Sequence, residues 1–178
     1  MLLNGPPGIG KSTLARLLVR EHPLALCLDI DLLRRSLGQW DEHLDESGLL
    51  ARDLAIAAAR VHLLSRHAVV IPQFLGRLTF VERLESLARD TGATFTHIAL
   101  LDGRDNAIAR FSARTSAPDA GAQHREAAAM AGGAAGLGQM YDDLLAVLAA
   151  RPNVVVPSVE GDIEGTYRRL RQALAGVL

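Results

Sequence analysis

The chain has 178 residues, of which 49% are hydrophobic and 22% are charged, and its formal net charge is −1. This composition predicts one globular domain over residues 1–178 and excludes a disordered chain. The balanced charge argues against nucleic-acid binding, and no apolar run reaches the roughly 18 residues of a membrane span. Because the single cysteine is Cys27 and no leader is recognisable, we expect a cytoplasmic protein that does not bind membranes.

The first predicted strand, Met1–Asn4, leads into Gly-Pro-Pro-Gly-Ile-Gly-Lys-Ser and a helix over Lys11–Arg20. The spacing G-x-x-x-x-G-K-S between a strand and a helix is that of the phosphate-binding P-loop. Its glycines let successive backbone N–H groups and the helix N-terminus point at phosphate oxygens. The residues predicted to bind the nucleotide are therefore Gly5, Pro6, Pro7, Gly8, Ile9, Gly10, Lys11, Ser12 and Thr13.

Lys11 is the only lysine among the 19 lysine and arginine residues of the chain. A lysine gives β- and γ-phosphates a compact, flexible charge that the planar guanidinium of arginine does not provide. Ser12 offers its hydroxyl to Mg²⁺. The guanine-reading motif Asn-Lys-x-Asp needs a second lysine, so the sequence favours ATP over GTP.

The second predicted strand, Leu24–Asp29, ends in two acids one residue apart, and a helical stretch runs from there to Arg66. A phosphotransferase needs one carboxylate near Mg²⁺ and another that orients and deprotonates the acceptor hydroxyl. We assign Asp29 to the metal and Asp31 to the acceptor, with helix capping as the alternative role of Asp31. Arg34, one helical turn later, would point into the same cleft.

The third predicted strand, Ala68–Pro72, is followed by Gln73 instead of the acid that ends a Walker B strand. Gln73 can hydrogen-bond a substrate but carries no charge, so the metal depends more on Asp29. Arg77 either grips an acceptor or a phosphate, or is a surface residue at the start of a helix over residues 77–90. Trp40 either stacks on a ring of the acceptor or packs within the protein.

The fourth predicted strand, Phe95–Leu101, precedes a helix over Arg104–Thr115 that carries Arg110 and Arg114 on one face. Two guanidiniums there would neutralise charge on the transferred phosphoryl group and help to bind ATP, unless they form a solvated face. The Ala- and Gly-rich stretch that follows is either a surface loop or a mobile lid over the nucleotide. We place this lid at about residues 111–139.

The last predicted strand, Asn153–Val156, is followed by a helix that Asp162 caps. Five strands that alternate with helices predict an α/β fold with three layers, a five-stranded parallel sheet and a helical lid, as in P-loop NTPases. Ligands of such sheets bind beyond the carboxyl ends of the strands. The P-loop, the acid pair and Gln73 all stand at such ends.

These motifs resemble those of the P-loop kinase family of small phosphotransferases, including shikimate kinase, gluconate kinase, chloramphenicol phosphotransferase and the zeta-toxin group of AAA-family ATP-binding proteins. The resemblance rests on the P-loop, on Asp29 and Asp31 followed by Arg34, and on the Arg110 and Arg114 pair. It implies that Asp29 belongs to the Mg²⁺ shell and that Asp31 contacts the acceptor. It also implies that Arg110 or Arg114 stabilises the transferred phosphate.

The sequence therefore predicts an ATP- and Mg²⁺-dependent kinase that phosphorylates a hydroxyl group of a small molecule, such as an antibiotic, a sugar or a nucleoside-like metabolite. One alternative is a polynucleotide or nucleotide kinase, which would have a basic track leading to Asp31. Another is a regulatory ATPase, whose slow ATP turnover would not respond to any small acceptor.

Overall fold

The computed structural model describes residues 1–116 and 134–175, and within them the side chains of residues 1–113 and 136–175. Its strands are β1 (Leu2–Asn4), β2 (Leu26–Cys27), β3 (Val69–Pro72), β4 (His97–Leu101) and β5 (Val154–Pro157). All pairings are parallel, and the strand order is β2-β3-β1-β4-β5. The predicted α/β fold with a five-stranded parallel sheet is confirmed.

The helices are α1 (Lys11–Arg20), α2 (Ile30–Arg35), α3 (Leu44–Leu64), α4 (Leu78–Thr91), α5 (Arg104–Ser116), α6 (Ala134–Ala150) and α7 (Ile163–Ala175). The single helical stretch predicted after the second strand is in fact two helices. Between them Gln39 has a φ of 54°, a left-handed conformation that a helix cannot contain. Within the described ranges, no helix is both long enough and apolar enough to cross a membrane.

Alternating strand residues build a core on each face of the sheet. Leu2 of β1 packs in a cluster with residues of α3 and α4, whereas its neighbour Leu3 packs in a cluster with α1 and α7. Val69 and Val70 of β3 divide in the same way, as the two-residue period of a strand requires. Helices therefore cover both faces, and the three layers leave the carboxyl ends of the strands open.

Gly5 fixes the point at which the chain leaves β1. Its φ is 151°, and a Cβ atom at this position would stand 2.6 Å from the carbonyl oxygen of Leu100 in β4. Only glycine allows the P-loop to start this close to the neighbouring strand.

Candidate functional site

The P-loop connects β1 to α1 and presents the beginning of that helix. Gly10, the residue before α1, has a φ of 103° and leaves the first helical N–H groups without a side-chain cap. The Nζ atom of Lys11 donates hydrogen bonds to the carbonyl oxygens of Gly5 and Pro6, at 2.9 Å each. Uncapped N–H groups and an ammonium on one loop have the chemistry that phosphate oxygens require of a binding site.

The ammonium of Lys11 sits in a conflicting environment. Burial lowers its pKa from 10.5 to about 8, although the charges of Asp31 and Asp29 act in the opposite direction. An anion bound beside Lys11 would stabilise the charged form of the ammonium, which burial disfavours.

Asp29 joins the P-loop to the start of α2. Its Oδ2 atom accepts the hydroxyl proton of Ser12 at 2.9 Å, and its Oδ1 atom accepts the backbone N–H of Asp31 at 3.1 Å. Asp29 is therefore the N-cap of α2, so the capping role considered for Asp31 belongs to its neighbour. The carboxylate of Asp31 is exposed and lines the cleft beside the P-loop.

One cleft of about 800 Å³ brings most of the predicted site residues together. Those that line it are Pro7, Gly8, Gly10, Lys11, Ser12, Thr13, Asp31, Arg34, Gln73 and Arg77. Gly5, Pro6 and Ile9 lie buried in the loop beneath it, and Asp29 reaches it through Ser12. Residues of the P-loop and Asp31, which the sequence singled out from local motifs, therefore line the same cleft.

Arg34 and Trp40 mainly hold α2 against α3. The guanidinium of Arg34 donates to Ser47 Oγ at 3.0 Å and to the carbonyl oxygen of Leu44 at 2.8 Å. It also lies over the ring of Trp40, 5.4 Å from the ring centre. Trp40 is not among the residues that line the cleft, and its ring packs against Arg34.

Arg110 lies away from the cleft, between the ends of β4 and β5. Its side chain is buried, with Nη1 3.0 Å from a carboxylate oxygen of Asp102 and Nε 3.6 Å from Glu160. The guanidinium charge is therefore already balanced by two carboxylates. The side chain of Arg114 and most of the predicted lid lie outside the described residues.

Asn4 is a buried polar residue that the sequence analysis missed. Its Oδ1 atom accepts the N–H groups of Gly5 and Leu75, and its Nδ2 atom donates to the carbonyl oxygen of Leu75 and to His97 Nε2. These bonds tie the P-loop to the segment after β3. The available signal was an asparagine at the end of an otherwise apolar buried strand.

The far wall of the cleft was also missed. It comes from α3, α4, α6 and the segment between β3 and α4, and it includes Leu49, Arg52, Phe74, Phe80, Arg83, Met140 and Asp143. These residues are far apart in the chain and share no motif. The helix α6 was not predicted, because its glycines at 136 and 138 made it look like part of a loop.

A parallel sheet of this order, with a P-loop after its central strand and a carboxylate on the P-loop serine, defines a P-loop nucleotide-binding protein of the small-kinase type. The family model described as AAA domain matches residues 1–135. The chain belongs to this family. No curated protein matches the chain in sequence.

Several solved structures share the fold over nearly all of the chain. The tunicamycin resistance protein of Deinococcus radiodurans is 18% identical with a TM-score of 0.61, and the match covers 99% of this chain and 94% of that one. A gluconokinase from Sinorhizobium meliloti 1021 is 18% identical with a TM-score of 0.59, covering 99% and 89%. A shikimate kinase from Bacteroides thetaiotaomicron is 19% identical with a TM-score of 0.58, covering 98% and 96%. At these identities the likeness establishes the P-loop kinase fold.

Proposed function

We propose that the protein is an ATP- and Mg²⁺-dependent phosphotransferase that phosphorylates a hydroxyl group of a small molecule. The observation that carries this proposal is the Ser12–Asp29 hydrogen bond of 2.9 Å beside Lys11, with the exposed carboxylate of Asp31 in the same cleft. A nucleotide site and a separate candidate base at one cleft are what phosphoryl transfer to a hydroxyl requires.

Ser12 and Asp29 fit Mg²⁺. A hydroxyl and a carboxylate are hard oxygen donors, and Mg²⁺ is commonly held by one or two protein oxygens together with phosphates and water. Among the described residues no group of three or more metal-ligating side chains occurs, so a metal here would depend on the nucleotide for its remaining ligands. When bound, Mg²⁺ would neutralise negative charge on the phosphate oxygens.

In the proposed reaction, Asp31 orients the acceptor hydroxyl and accepts its proton. The hydroxyl oxygen forms a bond to the γ-phosphorus of ATP while the bond from that phosphorus to the β–γ bridging oxygen breaks, and ADP leaves. Lys11 and the P-loop N–H groups balance the charge on the phosphates. Gln73, whose backbone N–H donates to the carbonyl oxygen of Leu3 in β1, would contact the acceptor.

We propose that Arg110 takes part on the ATP side. Its side chain lies beside Glu160, which belongs to the loop after β5. In the same loop, the hydroxyl of Ser158 donates to the carbonyl oxygen of Ile9 in the P-loop, at 3.3 Å. This position supports a role in holding ATP more than direct contact with the transferred phosphate. We also propose that Arg114 stabilises the transferred phosphate and that residues at about 111–139 form a lid. The chain would then be a single domain of residues 1–178.

The test is ATP consumption with Mg²⁺ across sugars, sugar nucleotides, nucleosides, aminoglycosides and other antibiotics. We expect one compound class to raise turnover above the water background. Asp31→Asn should abolish that rise, and Lys11→Ala should abolish nucleotide binding. Asp90→Asn, which removes an exposed carboxylate of α4 outside the cleft, is the control and should change neither.

A negative outcome is equally informative. If no acceptor raises turnover while Lys11→Ala still abolishes nucleotide binding, the metabolic kinase is wrong. The nucleotide-dependent regulatory ATPase would then take its place, and the search would turn to a protein or RNA partner.

A further inference from the structure

The lining of the cleft is strongly cationic although the chain as a whole is nearly neutral. Its basic side chains are Lys11, Arg16, Arg34, Arg35, Arg52, Arg77 and Arg83. The acidic side chains that line it within the described part of the chain are Asp31 and Asp143. Like charges gathered in one cleft repel each other and create a positive potential, which favours an anionic ligand.

The P-loop accounts for only part of this charge. Lys11 and the N-terminus of α1 face the triphosphate site. Arg52, Arg77 and Arg83 belong to α3, to the segment after β3 and to α4, on the other wall of the cleft. This second group of cations therefore stands where the acceptor would lie.

Two of these three arginines keep most of their hydrogen-bonding capacity. Arg83 is paired with Asp53, at 2.6 Å. Arg52 makes one bond, from Nη1 to the carbonyl oxygen of Gly48 at 3.3 Å, which is long for a hydrogen bond. Arg77 is exposed and makes no hydrogen bond or ion pair with the residues that the structure describes.

The same wall also offers apolar surface. Leu49, Phe74, Leu75, Phe80 and Met140 line the cleft between and beside the arginines. An apolar surface that carries a few polar groups is typical of small-molecule sites, in which the apolar part holds the body of the ligand and the polar groups fix its orientation.

We propose that the acceptor is an amphipathic oxyanion: besides the hydroxyl that faces Asp31, it carries a phosphate or carboxylate group held by Arg52 and Arg77. Its ring or other apolar body lies against Phe74 and Phe80. This inference rests on the proposed function for the identity of the reaction, but the anion site itself can be tested without turnover.

The first experiment measures anion binding with the P-loop already filled. The protein is saturated with Mg²⁺ and a non-hydrolysable ATP analogue and is then titrated calorimetrically with inorganic phosphate and, separately, with acetate. We expect at least one of them to bind, and Arg52→Gln and Arg77→Gln each to weaken that binding about tenfold, since each removes charge-assisted hydrogen bonds. Tighter phosphate binding would indicate a phosphorylated acceptor, and tighter acetate binding a carboxylated one.

Arg89→Gln is the matched control, because Arg89 lies on α4 but outside the cleft lining. It should leave anion binding unchanged. The proposal is overturned if neither anion binds to the nucleotide-loaded protein, or if all three variants bind as the wild type does.

The second experiment compares turnover on matched acceptors: a nucleoside with its 5′-monophosphate, and a sugar with its sugar acid. We expect the anionic member of a pair to be preferred, and Arg77→Gln to raise its KM with little change in kcat. Preference for the neutral member would overturn the anionic acceptor and leave the kinase standing. Anion binding without phosphorylation of any acceptor would instead support the anion site and count against the proposed kinase activity.

Discussion

Asn4 uses all of its hydrogen-bonding capacity at a position with no solvent access. The side chain accepts two backbone N–H groups and donates to a backbone carbonyl and to a histidine ring. Water cannot replace these bonds at a fully buried position, so each group left without its partner would cost free energy. The link between the P-loop and the segment after β3 therefore depends on one amide.

We expect Asn4→Leu to lower the free energy of unfolding by about 2–4 kcal/mol, because the N–H groups of Gly5 and Leu75 would stay buried without acceptors. Urea unfolding measures this change. The exposed Asn106→Leu is the control and should stay within about 0.5 kcal/mol of the wild type. Equal stabilities for the two variants would contradict the importance of the Asn4 bonds.

His97, which accepts from Asn4, should make the protein acid-sensitive. Burial lowers its pKa from 6.5 to about 4, so the folded state binds fewer protons than the unfolded state between these values. The free energy of unfolding should therefore fall as the pH drops from 6.5 to 4, with His97 alone contributing about 3 kcal/mol. In His97→Gln, measured by urea unfolding across this range, the slope should be smaller.

At the scale of elements, the sequence predicted the helices and strands that a local pattern determines. The P-loop and apolar face of α1 predicted its bounds, Lys11–Arg20, as the structure has them. The break between α2 and α3 was missed because residues 36–43 carry no proline and their conformation depends on bonds from Arg34 to α3. The helix α6 was missed because burial of Leu144 and Val147 outweighs the low helix propensity of its glycines.

Gly5 connects two elements, and its replacement should disturb both. In Gly5→Ala the new Cβ atom would overlap the carbonyl oxygen of Leu100 and would sit on a backbone with positive φ, so we expect a loss of about 2 kcal/mol or more. Gly92→Ala separates the two effects, because Gly92 has a φ of 65° at the end of α4 with open space around it. Urea unfolding should give about 1 kcal/mol for Gly92→Ala. A similar loss in both variants would show that the contact with Leu100 matters little.

At the scale of the whole molecule, the candidate site was predictable where motif and topology coincide. The P-loop follows β1 and Asp31 follows β2, two strands of one parallel sheet separated only by β3, so their meeting at one edge follows from the fold. Of the arginines on the opposite wall, Arg77 was a candidate from the sequence, whereas Arg52 and Arg83 were not, because they line the same cleft only through the packing of α3 on α4, where Arg83 pairs with Asp53. Tertiary packing of this kind leaves no local pattern in the sequence.

Nucleotide binding should stabilise the whole fold and should be coupled to the uptake of a proton by the protein. At 100 times the dissociation constant, Mg²⁺ and ADP should raise the free energy of unfolding by about 2.7 kcal/mol, and Lys11→Ala should abolish this gain. Because the pKa of Lys11 is lowered to about 8, binding at pH 8.5 should also take up a proton. Calorimetry in buffers of different ionisation enthalpy measures that uptake, which should vanish at pH 6.5. Equal uptake at both pH values would assign the proton to another group.

Asp29 makes two structural hydrogen bonds, whereas the arginines of the opposite wall make few. The two sides of the cleft should therefore differ in how well they tolerate substitution. Any replacement of Asp29 removes the hydroxyl partner of Ser12 and the start of α2 together, so the nucleotide half tolerates little variation. On the opposite wall, Arg77 supports no other part of the described structure and Arg52 supports only one carbonyl. An engineer who wishes to exchange one acceptor for another would therefore randomise positions 52 and 77 and leave position 29 alone.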